Sequence, residues 1–244
     1  MKFKSTEDYL IVDVFDCYII SDDGQVICQD RLTSSGIEIS VDATEIRGGK
    51  GNGLIATVGG NKDLSITTEE PTFRMEALAL QMGTTINTGT GVAYKSKEYT
   101  VSGGKITLDE TPITGTVKVY GDTGQITASA TGSGKDVTIT GHDGEKVKVV
   151  YQYKTPATSD TIEINSKKFP TAKKIVLETI VIDSSENEIA TLQLEIPKAK
   201  PDGSFSISTS SSKEAMSTSI TWKAMADSNG KLGEFKLIPI NGAE

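Results

Sequence analysis

The chain has 244 residues, 36% of them hydrophobic and 24% charged, enough to bury one sizeable core or one core plus a small inserted module, and too apolar for a disordered polymer. A net charge of −8 argues against a general nucleic-acid-binding surface. No apolar run approaches the ~20 residues of a membrane helix, and the opening MKFKSTEDYLIVDVFDCYII has acidic residues where a secretory leader would be uninterruptedly apolar, so the expectation is maturation in a cytoplasm.

Along the chain, strand signals dominate: period-two alternation rich in Val, Ile and Thr, punctuated by turn dipeptides. YLIVDVFDCYII, QVICQ and IEISVDA supply three strands near the start. Cys17 and Cys28 fall in neighbouring strands and are expected as free thiols, acting as small buried hydrophobes. A glycine cluster follows, with four glycines in the six positions from Gly48 to Gly53, and then the apolar run LIATVGG. KDLSITTEE reads as a further strand.

Residues 69 to 83, EEPTFRMEALALQMG, break the two-residue rhythm. Pro71 suits a first helical turn, Glu69 and Glu70 its positive end, and Gly83 a C-cap. Met75, Leu78 and Met82 recur at helical spacing, which predicts one short amphipathic helix with that stripe on the core.

From about 98 to 165 the texture becomes short strands with polar turns, among them GTVKVYG, KDVTITG and EKVKVVYQYK. This predicts a small all-β, immunoglobulin-like insertion at 98–165 between the two parts, 1–97 and 166–244, of a main domain. KKIVLETIVID and IATLQLEIP, joined by SSENE, then form a half-buried antiparallel hairpin: Ala190, Leu192, Leu194 and Ile196 share one face, and Thr191, Gln193 and Glu195 the other. SFSISTS, STSITWKAM and LGEFKLIPI continue the pattern, with PDG and SNG as turns.

The motifs that carry chemistry are thin. Gly51, Gly53 and Ala56 match a G-x-G-x-x-A dinucleotide fingerprint, but that motif needs a helix after it and LIATVGG reads as a strand. ATGSGKDVT has Ser129 where a P-loop needs its first glycine and Asp136 where it needs Ser or Thr. His142, the sole histidine, sits in the turn TGHDGEK and reads as a solvated hairpin residue; one His and two Cys write no zinc site of usual spacing. SDDGQ and GHDGE carry too few ligands for a calcium loop. Trp222 alternates with Ile220 and Ala224 and reads as core. No cofactor is expected.

The order of elements is more informative. GIEISVDATEI leads through the glycine loop to GLIATVGG, then KDLSITTEE runs into the helix, and KKIVLETIVID, LQLEIPKAKPDGSFSISTS and STSITWKAM follow much later. Over residues 36 to 83 and 168 to 240 this resembles the major tail tube protein family of tailed bacteriophages. The resemblance implies an all-β fold with one short α-helix, of β-sandwich or barrel type, carrying a small all-β insertion on the outside of the tube. It implies a structural virion protein with no catalysis, whose homo-oligomeric rings, hexameric in the family, stack into a conduit for genome delivery. The implied partners are other copies of the chain and the tape-measure, terminator, baseplate and sheath proteins; DNA passes without specific binding. The implied location is the virion tail, assembled in the bacterial cytoplasm.

Carried onto this sequence, Gly48, Gly49, Gly51 and Gly53 would supply turns at positive φ, and Arg47, Lys50 and Asn52 would sit on an exposed loop touching a neighbouring subunit or ring. Strands around 37–46, 54–58 and 63–68 would close a barrel across subunits. Glu38 and Asp42 alternate against Ile37, Ile39 and Val41, and either line the channel or face solvent. Two other readings share the texture: a β-rich binding module such as a capsid decoration protein or adhesin, and a β-sandwich glycoside hydrolase using two carboxylates, to which 6% aromatic content lends little support.

Overall fold

A computed structural model describes residues 9–21, 24–126, 134–207, 211 and 216–240, with the backbone alone at 129 and 130. The chain divides into two compact units, one from residues 1–85 and 162–244, the other Ile86–Thr161. Position 98, expected as the start of the insertion, therefore lies inside the second unit.

The first unit is built on one sheet. Its strands are β1 (Leu10–Ile11), β2 (Asp16–Ile20), β3 (Val26–Gln29), β4 (Ser34–Gly48) and β5 (Gly53–Glu70) before the helix α1 (Met75–Met82). After β6 (Ile86–Thr88), β7 (Val92–Thr100), β8 (Lys105–Thr107), β9 (Lys118–Gly121), β10 (Gly124–Ile126), β11 (Ser129–Ala130), β12 (Asp136–Thr138), β13 (Lys146–Lys154) and β14 (Asp160–Ile162), the sheet resumes with β15 (Lys173–Ile182), β16 (Glu188–Pro201), β17 (Thr218–Ala224) and β18 (Glu234–Pro239). The order is β3-β2-β15-β16-β17-β5-β4, with β1 also on β15 and β18 also on β16. The fold is nearly all β with one short helix among the described residues.

The β15–β16 hairpin is the spine. Alternation puts Ile175, Leu177 and Val181 opposite Ile196, Leu194 and Ala190 on one buried face. Its turn is held by the Asp183 carboxylate, which accepts the backbone N–H groups of Ser185 (2.7 Å) and Asn187 (3.0 Å) and is lowered in pKa by them. On the other face Glu195 lies between Lys174 of β15 (2.6 Å) and Lys236 of β18. Hydrogen bonds from these two ammonium groups hold the Glu195 carboxyl down to about 2.

Around the spine, Cys17, Ile19, Leu64, Ile66, Ile220 and Trp222 complete the core. Trp222 is fully buried opposite Ile66, as its alternation predicts. Cys17 and Cys28 are free thiols on adjacent strands.

The helix is shorter than its sequence signal. β5 runs on to Glu70, so Glu69 and Glu70 belong to a strand and Pro71 to the bend before α1. The physical reason is a buried carboxylate: Glu70 is 2% exposed, accepts the Thr72 hydroxyl at 2.7 Å and pairs with Arg74 at 2.8 Å. Arg74 also donates to the Cys28 carbonyl (2.7 Å) and Asp30 (3.3 Å). Gln29, buried on β3, donates to Glu70 at 3.5 Å and accepts from Thr68 at 3.3 Å. With its start fixed here, α1 turns Ala77 and Leu80 toward the core and leaves Met75, Leu78 and Met82 half-buried. Gly83 ends the helix in the left-handed region (φ +64), and a Cβ there would lie 2.1 Å from the Phe169 carbonyl oxygen.

The second unit has its own core of Val101, Ile106, Leu108, Val119, Val137, Ile139, Val147, Val149 and Tyr151. A four-stranded sheet, β10-β9-β13-β7, and a three-stranded one, β11-β12-β8, contribute to it, and β6 pairs with β14 where the chain enters and leaves.

Two outcomes follow. Replacing Arg74 by Met strands the buried Glu70 charge and costs about 3 kcal/mol in urea unfolding, most of it recovered when Glu70→Gln is added. For Glu195, ordinarily near 4.5, the unfolded chain binds the proton first as pH falls, so its stabilisation is complete above pH 4.5 and disappears toward pH 2. Melting temperature should therefore fall less between pH 4.5 and 2 in Glu195→Gln than in the wild-type protein.

Candidate functional site

The glycine cluster is the tip of a long two-stranded arm. β4 and β5 pair antiparallel from Ser34–Glu69 out to Gly48–Gly53. At its root Leu64 and Ile66 are buried, and Ile37 packs on the same core. β17 pairs with β5 only from Ser65 to Glu70. Beyond that point neither edge of the arm has a further strand among the described residues, and every residue from Glu38 to Arg47 and from Gly53 to Asp63 is exposed.

The strands expected at 54–58 and 63–68 are thus one strand. What reads as a break, GGNK, is a bulge: Val41 opposes Lys62 and Ala43 opposes Gly59, so Gly60 and Asn61 face the single residue Asp42. A Cβ on Gly60 would stand 3.2 Å from the Asp42 carbonyl oxygen, a tight contact with the facing strand. A second shift leaves Ile55 unpaired near the tip.

Within the cluster, positive φ is confined to Gly49 (φ +78), Gly51 (φ +94) and Asn52 (φ +52). Gly48 and Gly53 are paired strand residues, a correction to the expectation of positive φ at all four glycines. A Cβ on Gly48 would meet the Ile55 side chain at 2.8 Å. Lys50 lies in the turn, closed by the Asn52 N–H donating to the Gly49 carbonyl at 3.2 Å. Arg47 pairs with Glu45 at 2.6 Å, an exposed pair of small energetic weight.

Register sorts the arm into two faces. One carries Ile39, Val41, Ala43 and Lys62, continuing the core face outward. The other carries Glu38, Ser40 and Asp42 near the root, then Thr44, Ile46, Ala56 and Val58 toward the tip. Opposite Ser40 stands Asp63, a third carboxylate beside Glu38 and Asp42 that sequence reading missed, because the bulge hides which face it joins. Ile39, Val41, Ile46, Leu54, Ile55 and Val58 are 47–68% exposed.

The residues weighed for catalysis are not brought together. His142 bonds Glu145 at 2.9 Å, in the second unit. Burial pushes the Cys17 thiol up to about 12 and also raises Cys28, the opposite of what a thiolate nucleophile needs. Among the described residues no group of three or more His, Cys, Asp or Glu side chains could hold a metal ion. Of the serine-rich run STSSSKEAMSTS, Ser208, Ser210 and Ser212 lie outside the described residues. No helix among the described residues is long and apolar enough to cross a membrane.

The arrangement defines a class: a β-rich chain that presents an exposed strand pair extending from its main sheet. A profile of the YomU/Tube protein family matches residues 9–238, and the chain belongs to that family. It is also similar to a tail tube protein of Bacillus phage SPR, with 24% identity over 226 residues, covering 90% of this chain and 85% of the relative.

The turn geometry predicts a position-specific effect. Gly51→Val forces a branched side chain into a left-handed conformation costing about 1–2 kcal/mol, whereas Gly53→Val, in open space and regular strand, is tolerated. Since the tip touches no core residue, the readout is amide exchange at Arg47 and Leu54, about tenfold faster in Gly51→Val with an unchanged melting temperature.

Proposed function

We propose that this protein is the repeating structural subunit of a phage tail tube, and that its β4–β5 arm is the element through which copies join. Membership in the Tube family and the likeness to a phage tail tube protein support the structural role. The observation that carries the assembly reading is the arm itself. It presents two open strand edges and six half-exposed large aliphatic side chains, a combination soluble monomers avoid and assemblies bury.

In this reading Arg47, Gly48, Gly49, Lys50, Gly51, Asn52 and Gly53 form a loop that meets a neighbouring subunit. Among the described residues β4 pairs with β5 alone, β3 with β2 alone and β18 with β16 alone, so the sheet has edges at which another copy can add a strand. A contact between different edges is head-to-tail and closes into a ring when the rotation allows, with six copies as the family-based expectation. Rings stack into a tube, and tape-measure, terminator, baseplate and sheath proteins are the proposed further partners. The subunit is not an enzyme, takes no cofactor, and assembles in the host cytoplasm into the virion tail.

Glu38 and Asp42, with Asp63, would face the lumen, where like charge keeps DNA phosphates from adhering as the genome passes. Residues 86–161 would project from the outer wall as an accessory module.

Ile46→Ser, Leu54→Ser and Val58→Ser together should leave the melting temperature within about 1 kcal/mol equivalent of wild type, since these side chains are exposed. Sedimentation and negative-stain microscopy should find wild-type rings or tubes and a monomeric variant. Rings formed equally by both would remove the arm from the contact. A wild-type monomer at every concentration, with no response to preformed tubes, would favour a decoration or adhesion module.

A further inference from the structure

The second unit carries a charged surface that lies apart in sequence from the arm proposed to join copies. Between residues 86 and 161 there are eight lysines, no arginine and eight Asp or Glu, so the unit is neutral and the whole −8 belongs to the rest of the chain. Within this neutral unit the charges are sorted by face. Register places Lys146, Lys148 and Lys154 of β13, Lys118 and Tyr120 of β9, and Tyr94 of β7 on the outer face of the four-stranded sheet, opposite the core. All six are exposed, and Tyr94 is 73% exposed.

Three of the four lysines directed elsewhere are engaged: Lys95 and Lys97 both bond Asp109 at 3.0 Å, and Lys135 donates to the Asp109 carbonyl, while Lys105 lies on the three-stranded sheet. By contrast Lys118, Lys146, Lys148 and Lys154 form no ion pair among the described residues. One carboxylate, Glu98, shares their face, opposite Lys148. The face therefore keeps an uncompensated positive charge on a protein that is otherwise acidic.

We propose that this sheet face binds a linear polyanion, specifically a phosphate-linked polymer of polyol or sugar units. Lys146 and Lys148 stand two residues apart on one strand, about 7 Å, and Lys118 lies one strand over and two residues on, about 8 Å from Lys148. Such a row of point charges on an open sheet suits a chain lying across it. Without arginine there is no rigid fork for bidentate phosphate recognition, and lysine's rotatable donors tolerate a flexible anion. Each tyrosine has an amide neighbour, Gln152 opposite Tyr94 and Gln125 opposite Tyr120. Ring and amide together offer an apolar face to C–H groups and hydrogen bonds to hydroxyls. Two strands and four residues separate the tyrosines, about 17 Å, too far for adjacent nucleic-acid bases to stack on both.

The test uses the full chain, titrated with soluble poly(glycerol phosphate) and separately with oligothymidylate of the same charge, at about 50 and about 200 mM salt. Expected are binding of the polyol phosphate that weakens at least about tenfold with salt, and a further loss of about tenfold in the Lys118→Gln, Lys146→Gln, Lys148→Gln variant. Tyr94→Ala with Tyr120→Ala should weaken binding several-fold and keep the salt dependence. Lys105→Gln, on the smaller sheet, should change nothing, and melting curves verify that each variant is folded. Absence of wild-type binding, or affinity indifferent to the lysine changes in folded variants, overturns the proposal. Equal or tighter binding of oligothymidylate replaces it with a nucleic-acid surface.

Discussion

Backbone hydrogen bonding at the β4–β5 arm is the constraint on which the rest depends. A two-stranded ribbon is marginal in water, and this one extends from the sheet with neither edge covered by another described strand. It remains a continuation of the fold because its root is part of the core: Ile37, Leu64 and Ile66 pack with Trp222 and Ile220. The core therefore anchors a strand pair that is exposed in the single copy. In an assembly, the same edges and aliphatic side chains would become interior.

Where the arm begins is decided by polar chemistry. The Glu70 carboxylate, tied to Arg74, Thr72 and Gln29, fixes the end of β5 against β3 and sets the start of α1. Because breaking such a buried cluster leaves an unpaired charge, the junction is stiff where a simple strand-to-helix turn would be loose. At the helix's other end, Gly83 lets residues 169 and 170 pass at backbone contact. The root of the arm is thus tied by buried polar bonds as well as by core packing.

Much of this was legible from alternation. The β15–β16 hairpin, the core placement of Trp222, the Gly83 cap and the all-β class follow from period two and turn chemistry. The arm was harder, since an exposed strand pair that carries aliphatic residues alternates just as a half-buried sheet does. GGNK reads as a turn by local chemistry, and only pairing with Asp42 makes it a bulge that keeps β5 continuous and brings Asp63 beside Glu38 and Asp42. The helix signal failed at its start because Glu69 and Glu70 suit a helix N-terminus in isolation, while tertiary bonds hold Glu70 in a strand. Net charge concealed a neutral unit inside an acidic chain, which becomes visible once the chain is divided in space.

The most direct measurement is hydrogen exchange by mass spectrometry on residues 38–63, compared between dispersed subunits and the assembled state. The account predicts rapid exchange of edge amides in the subunit and strong protection after assembly, with little change in the already buried β15–β16 spine. Tubes or rings in which the arm exchanges as fast as in the free subunit would contradict it.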